Sequence, residues 1–257
     1  MIHTHFMNPK LAVFLFCLGL AVQGFATNLV TNGDFESGNS GFSSDYTFVG
    51  TPGGSALWDQ GKYAIVTSAR DYHSNFTSAA DHTSGSGTKY FAANGGTNIN
   101  QAVWMSNVLN VALANTVYRF EAWITSLINV SGGNGPDLVF EIGNGSTWTS
   151  LGNTSVIPNG TTGGTWIFTY ADGQFGQAGS YYVRLRNNST VASGNDLGVD
   201  DIYFGLRTSA PSYPATLGSS NPTVYNPAAV PEPSSSALLA LGLGGLMAWR
   251  RTRRSCE

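Results

Sequence analysis

Between Asn28 and Arg207 no long stretch shows the 3.6-residue recurrence of a helix. Apolar residues alternate or cluster in short runs broken by Gly, Asn, Ser and Asp. The segment VYRFEAWITS is the clearest. It sets Tyr118, Phe120, Ala122 and Ile124 on one face and Val117, Arg119, Glu121, Trp123 and Thr125 on the other. DLVFEIG directs Leu138, Phe140 and Ile142 inward. SYYVRLR directs Tyr181, Val183 and Leu185 inward and leaves Tyr182, Arg184 and Arg186 outward. Runs near 65, 90, 100 and 168, and LGVDDIYFGL at the end, bring the count to roughly eight to ten strands. Because an antiparallel sheet must cover one face, this predicts an all-β, two-sheet antiparallel sandwich over residues 27–207.

Charge is sparse, at 11% of residues, but 42% hydrophobic and 12% aromatic content is enough for a packed core. From Asn28 to Ala229 seven Lys and Arg face thirteen Asp and Glu. An acidic body of this kind has no electrostatic footprint for nucleic acid. Cys17 and Cys256 lie outside it, so the body has neither disulfide nor thiol chemistry.

The ends carry addresses. Lys10 precedes the apolar run Leu11 to Val22, and the small Gly24 and Ala26 stand before a cut ahead of Thr27. This is the order of a secretory signal peptide over 1–26, read by the Sec export machinery. After Arg207 six of the ten prolines fall between Pro211 and Pro233, which predicts a semi-extended linker over 208–229 and no strand. Residues 230–257 read VPEPSSSALLALGLGGLMAWRRTRRSCE. The uncharged stretch 234–249 would span about 24 Å as a helix, a marginal crossing of the inner membrane. The arginines of 250–254 would hold the cytoplasmic side.

Val-Pro-Glu-Pro, an apolar segment and a terminal arginine cluster together resemble the sorting tail of PEP-CTERM proteins. The resemblance implies that an exosortase recognises Pro231, Glu232 and Pro233, and that the protein is exported to the cell surface or extracellular matrix. It also implies association with extracellular polysaccharide and biofilm.

The opening NLVTNGDFESG and the closing LGVDDIYFG, with GGTWIFTYADG and SYYVRLRNNS between them, resemble galactose-binding-like jelly rolls of carbohydrate-binding modules. Phe42 stands where a Trp is frequent. The resemblance implies a structural Ca²⁺ tying the chain ends together through Glu36 and Asp200, with Asp34 or Asp201 in secondary roles. Such a site is chemically reasonable, since Ca²⁺ takes six to eight oxygens. The bland alternative makes Asp34 a turn residue and the Asp200–Asp201 pair a solvated strand end.

Sugar binding needs aromatic platforms beside polar groups. Arg119, Glu121, Trp123, Tyr182, Arg184 and Arg186, on the outward faces of two strands, form the candidate patch. An enzyme reading would use Glu121 and Glu141 as a glycosidase pair. The segment RDYHSNFTSAADHTSGSG, with Asp71, His73, Asp81 and His82, reads as a mobile loop. The favoured expectation is a non-catalytic, exported glycan-associated protein. A secreted polysaccharide-active enzyme is the alternative, and a structural surface protein without a ligand the third reading.

Overall fold

The computed structural model describes residues 27–83, 88–129, 134–159, 164–210 and 217–225. The expected signal peptide, the sorting motif Pro231, Glu232 and Pro233, and the membrane segment 234–249 lie outside the described residues.

Among the described residues thirteen strands follow one another: β1 (Phe42–Ser43), β2 (Thr47–Phe48), β3 (Lys62–Val66), β4 (Tyr90–Asn94), β5 (Ala102–Ser106) and β6 (Leu109–Val111) come first. After them run β7 (Thr116–Ser126), β8 (Leu138–Gly143), β9 (Trp148–Asn153), β10 (Ile167–Phe175), β11 (Gly179–Asn187), β12 (Leu197–Leu206) and β13 (Leu217–Tyr225). The helical content among the described residues is two single 3-10 turns.

One sheet has the order β1-β5-β11-β8-β9, with β6 also paired to β11; the other runs β13-β10-β7-β12-β4-β3-β2. This is the expected all-β two-sheet jelly-roll sandwich. Pairing is antiparallel except at the parallel pairs β2–β3 and β10–β13.

The alternation read from the sequence decides which side chains meet between the sheets. Tyr118, Phe120, Ala122 and Ile124 of β7 share a buried cluster with Phe140 and Ile142 of β8 and Tyr181, Val183 and Leu185 of β11. Phe120 meets Phe140 edge-on with ring centroids 4.8 Å apart. Each such ring withdrawn from water contributes about 2–3 kcal/mol. Phe42, in the position where a Trp is frequent, lies stacked on Trp104 and edge-on to Phe35.

Two expectations need correction. The stretch 208–229 contains a strand: β13 pairs in parallel with β10 along the sheet edge, from Thr169↔Leu217 to Phe175↔Tyr225. Its proline is tolerated because the register shifts between Ala171 and Gly173. Pro222 falls among the extra residues on the outer strand, where a missing N–H costs no ladder bond. Tyr225 is buried against Phe175 and Tyr181 and anchors the strand.

The segment 70–83 is a packed cover and not a mobile loop. Ala69, Phe76 and Ala79 join Leu57, Ala64, Val66, Tyr90, Ala92 and Leu127 in a second buried cluster on the outer side of β3 and β4. Small and polar residues dominate its sequence, but Phe76 and Ala79 are buried in this cluster and Tyr72 packs against it.

Candidate functional site

The six residues of the candidate patch divide between two faces. Arg119, Glu121 and Trp123 lie outward on β7, in the seven-stranded sheet. Tyr182, Arg184 and Arg186 lie outward on β11, in the six-stranded sheet, on the opposite side of the sandwich. Two packed sheets are about 10 Å apart before outward side chains are added, so the six cannot contact one ligand together. The same placement separates Glu121 from Glu141, an outward residue of β8. A carboxylate pair flanking one glycosidic bond stands at most about 9.5 Å apart, and these two face opposite solvents.

On the six-stranded face the polar groups satisfy one another. Glu141 accepts from Arg184 Nε at 2.6 Å and from Arg186 Nε at 2.7 Å. The guanidinium of Arg184 lies 4.0 Å over the ring of Trp148. This ladder is a closed lattice across β11, β8 and β9.

The seven-stranded face has a concavity. Asp200 pairs with Trp123 and Tyr203 with Glu121, so β12 sets two residues, Asp201 and Ile202, against the single Ala122 and carries one extra residue there. At that bulge Asp201 adopts φ 45°, a left-handed conformation that Asp tolerates better than most residues. The N-terminal segment runs alongside, with Ile202 N donating to Gly33 O at 2.9 Å and Asn28 Nδ2 to Ile202 O at 2.8 Å. A Cβ on Gly33 would stand 2.2 Å from Ile202 O, so only glycine permits this approach. Between this segment, β7 and β12 lies a cavity of about 400 Å³ lined by Asp34, Thr83, Glu121, Trp123, Asp201 and Tyr203, among others.

Each wall has a physical cause. Trp123 is backed by His82, stacked at 3.8 Å, while His82 Nδ1 sits 2.7 Å from Asp201 Oδ2 and Thr83 Oγ1 donates to Asp201 Oδ1 at 2.9 Å. Glu121 is 2% exposed, and its Oε1 is buried without accepting a hydrogen bond. The nearest cation, Arg119 Nη1, is 3.8 Å away. Arg119 itself is committed to Asp172, donating from Nε at 2.7 Å and Nη2 at 3.1 Å, and its guanidinium lies over Tyr170. Burial therefore lifts the Glu121 carboxyl to about 7, with Arg119 opposing and Asp172 adding to the rise.

The four acidic residues expected at calcium are also divided. Asp34 and Asp201 line the cavity. Glu36 Oε1 accepts from the backbone amides of Thr88 at 2.7 Å and Lys89 at 2.8 Å, fixing the entry to β4. Asp200 is fully buried and accepts from Asp201 N and His82 N. Its carboxyl is pushed up to about 9, chiefly by burial and next by Asp201. Beside it is Asp81, a residue absent from the expected set. No N–H or hydroxyl of another residue reaches either buried oxygen of Asp81. A proton held on Asp200 is donated to Asp81, whose own affinity for protons is raised by burial and by Glu36 and Asp201. Among the described residues no group of three or more His, Cys, Asp or Glu is arranged to hold a metal ion.

Residues 229–254 match the PEP-CTERM protein-sorting motif. The chain carries a PEP-CTERM sorting signal. Such a signal marks an exported protein, held transiently in the membrane, processed by an exosortase and sorted to the surface. No curated protein matches the chain. Among solved structures it is similar to the CBM22-1 xylan-binding domain from Paenibacillus barcinonensis Xyn10C, at 15% identity and TM-score 0.41, covering 71% of this chain and 96% of that one. It is also similar to a family 16 carbohydrate-binding module, at 20% identity and TM-score 0.36, covering 69% of this chain and 99% of the other. A third similar structure is the K2 cleaved adhesin domain of Lys-gingipain, at 14% identity and TM-score 0.37, covering 73% and 94%.

Proposed function

We propose that this PEP-CTERM protein is a non-catalytic surface module that binds extracellular polysaccharide in the cavity between β7, β12 and the N-terminal segment. The observation that carries the reading is the joining of an aromatic wall, Trp123, to acceptor groups on Glu121, Asp34 and Tyr203 in one concavity. Sugars present apolar C–H faces to rings and hydroxyls to polar side chains, and both kinds of surface meet here. The cavity lies on the face that the cover 70–83 leaves open, and His82 of that cover steadies the ring. Binding of the full-length chain to a glycan array tests this. A bound polysaccharide whose affinity falls at least tenfold in Trp123→Ala supports it; no glycan bound, or binding indifferent to Trp123, sinks it.

Calcium is proposed as a structural staple near the cavity and not as a catalyst. The donor chemistry suits it: two carboxyl groups, Asp81 and Asp200, meet where, among the described residues, no Lys or Arg pairs with either, and Glu36 is close enough to be felt by Asp81. Asp81 and Asp200 would hold the ion, replacing the shared proton. Asp34 and Asp201 stand apart from that set, Asp201 being occupied by His82 and Thr83.

A further inference from the structure

The side chains around the cavity differ in what they still have to give. Asn32 Nδ2 donates to Gly38 O at 2.9 Å and to Ser40 O at 2.7 Å. Thr83 donates to Asp201, and the Tyr203 hydroxyl to Leu206 O at 3.3 Å. These donors are spent within the protein. Acceptors remain: Glu121 Oε1 accepts no hydrogen bond, and Asp34 stands exposed at the rim with only a 3.4 Å contact from Glu36 N. Among the described residues no Lys or Arg lines the cavity.

We infer that the cavity selects an amino sugar, with the ammonium group of a deacetylated hexosamine unit set against Glu121 and the sugar ring against Trp123. This rests on the glycan-binding reading above and names the class of sugar. An ammonium brings three donors and a positive charge to a wall that offers acceptors and negative charge. Uronic acids would meet Glu121, Asp34 and Asp201 with like charge and are excluded. A carboxylate 2% exposed, with Arg119 held away by Asp172, is costly to leave unmatched, and a bound cation matches it. Near neutral pH the group stands close to half-ionised, so a cation needs little to draw it fully into the charged form.

The test compares a glucosamine hexamer with an N-acetylglucosamine hexamer by titration calorimetry on the full-length chain, since the two differ only at nitrogen. The expected result is at least a tenfold preference for the glucosamine hexamer, reduced to within about threefold by Glu121→Gln. Asp34→Asn, whose side chain is exposed at a turn, is expected to weaken the glucosamine hexamer about two- to threefold, which keeps the test independent of any folding defect at Glu121. Equal affinity for the two hexamers, or a preference untouched by Glu121→Gln, overturns the inference while leaving glycan binding through Trp123 in place. Tighter binding of a lysine hexapeptide than of the glucosamine hexamer overturns it in favour of a protein ligand. Failure of every glycan overturns both readings.

Discussion

His82 lies flat on Trp123, with ring centroids 3.8 Å apart and planes 22° from parallel, while its Nδ1 reaches Asp201 Oδ2 at 2.7 Å. One residue from the cover 70–83 thus fixes a side chain on β7 and another at the β12 bulge, and the cavity depends on both. His82→Ala is expected to cost about 1–2 kcal/mol, from a lost ring contact and a lost hydrogen bond. Thermal unfolding would show the loss. Glycan affinity should fall with it, because Trp123 is then no longer held.

Stability should fall as pH rises. The folded chain keeps protons on Asp200 to about 9, and to about 7 on Glu121 and on Asp196, a buried residue just before β12 whose Oδ1 accepts from Gly95 N, in each case mainly because of burial. The unfolded chain releases them near 4. Their contribution is complete below about pH 4 and is lost as pH climbs through 7 and then 9. In chelator the melting temperature should therefore be higher at pH 5 than at pH 8. A flat or rising profile would contradict these protonation states.

Asp81→Asn separates the acid pair from a calcium site. An amide at 81 can donate to the Asp200 carboxylate without a shared proton, so in chelator at pH 8 the variant should melt a few degrees above the native chain, about 1 kcal/mol. Added Ca²⁺ should raise the melting temperature of the native chain and leave the variant unchanged. If neither protein responds to Ca²⁺, the staple is wrong.

Asp172 is fully buried and takes both arms of the Arg119 fork. Asp172→Ala leaves a part-buried guanidinium without its partner and should cost about 3 kcal/mol in a denaturant titration. The freed Arg119 would then turn to Glu121, 3.8 Å away. Any preference of the cavity for ammonium should weaken in the same variant.

Tyr225 packs edge-on against Phe175 and Tyr181 with centroids 6.1 and 5.6 Å away. Tyr225→Ala should cost about 3 kcal/mol by urea denaturation. Loss of no stability would mean that β13 is not part of the folded body.

The faces of β7, β8 and β11 were legible because alternation alone assigns inward and outward residues, and the core follows them. Which sheet holds each strand was not legible, since alternation carries no pairing information. That is why Trp123 and Tyr182, both outward, belong to opposite sides. Asp81 could be read only as part of a Ser-, Ala- and Gly-rich loop; the fold alone brings it against Asp200, 119 positions later. β13 was masked by Pro222 and the prolines on either side of the strand; tolerance of Pro222 depends on an edge position that composition cannot reveal. The β12 bulge, which opens the cavity, had a faint signal in the adjacent Asp200–Asp201 pair, the kind of residue that accepts a left-handed conformation.

The anchoring of Tyr225 shortens the leash on which the sorting signal is presented. Only four residues separate it from Val230, a reach of at most about 18 Å when fully drawn out. An enzyme cutting near Pro231-Glu232-Pro233 therefore works within touching distance of the sandwich edge, and its shape must clear β13 as well as grip the motif. Peeling β13 from β10 would release nine more residues and let the cut proceed at arm's length. Pairing of the edge strand thus sets how far the signal can stand from the sandwich.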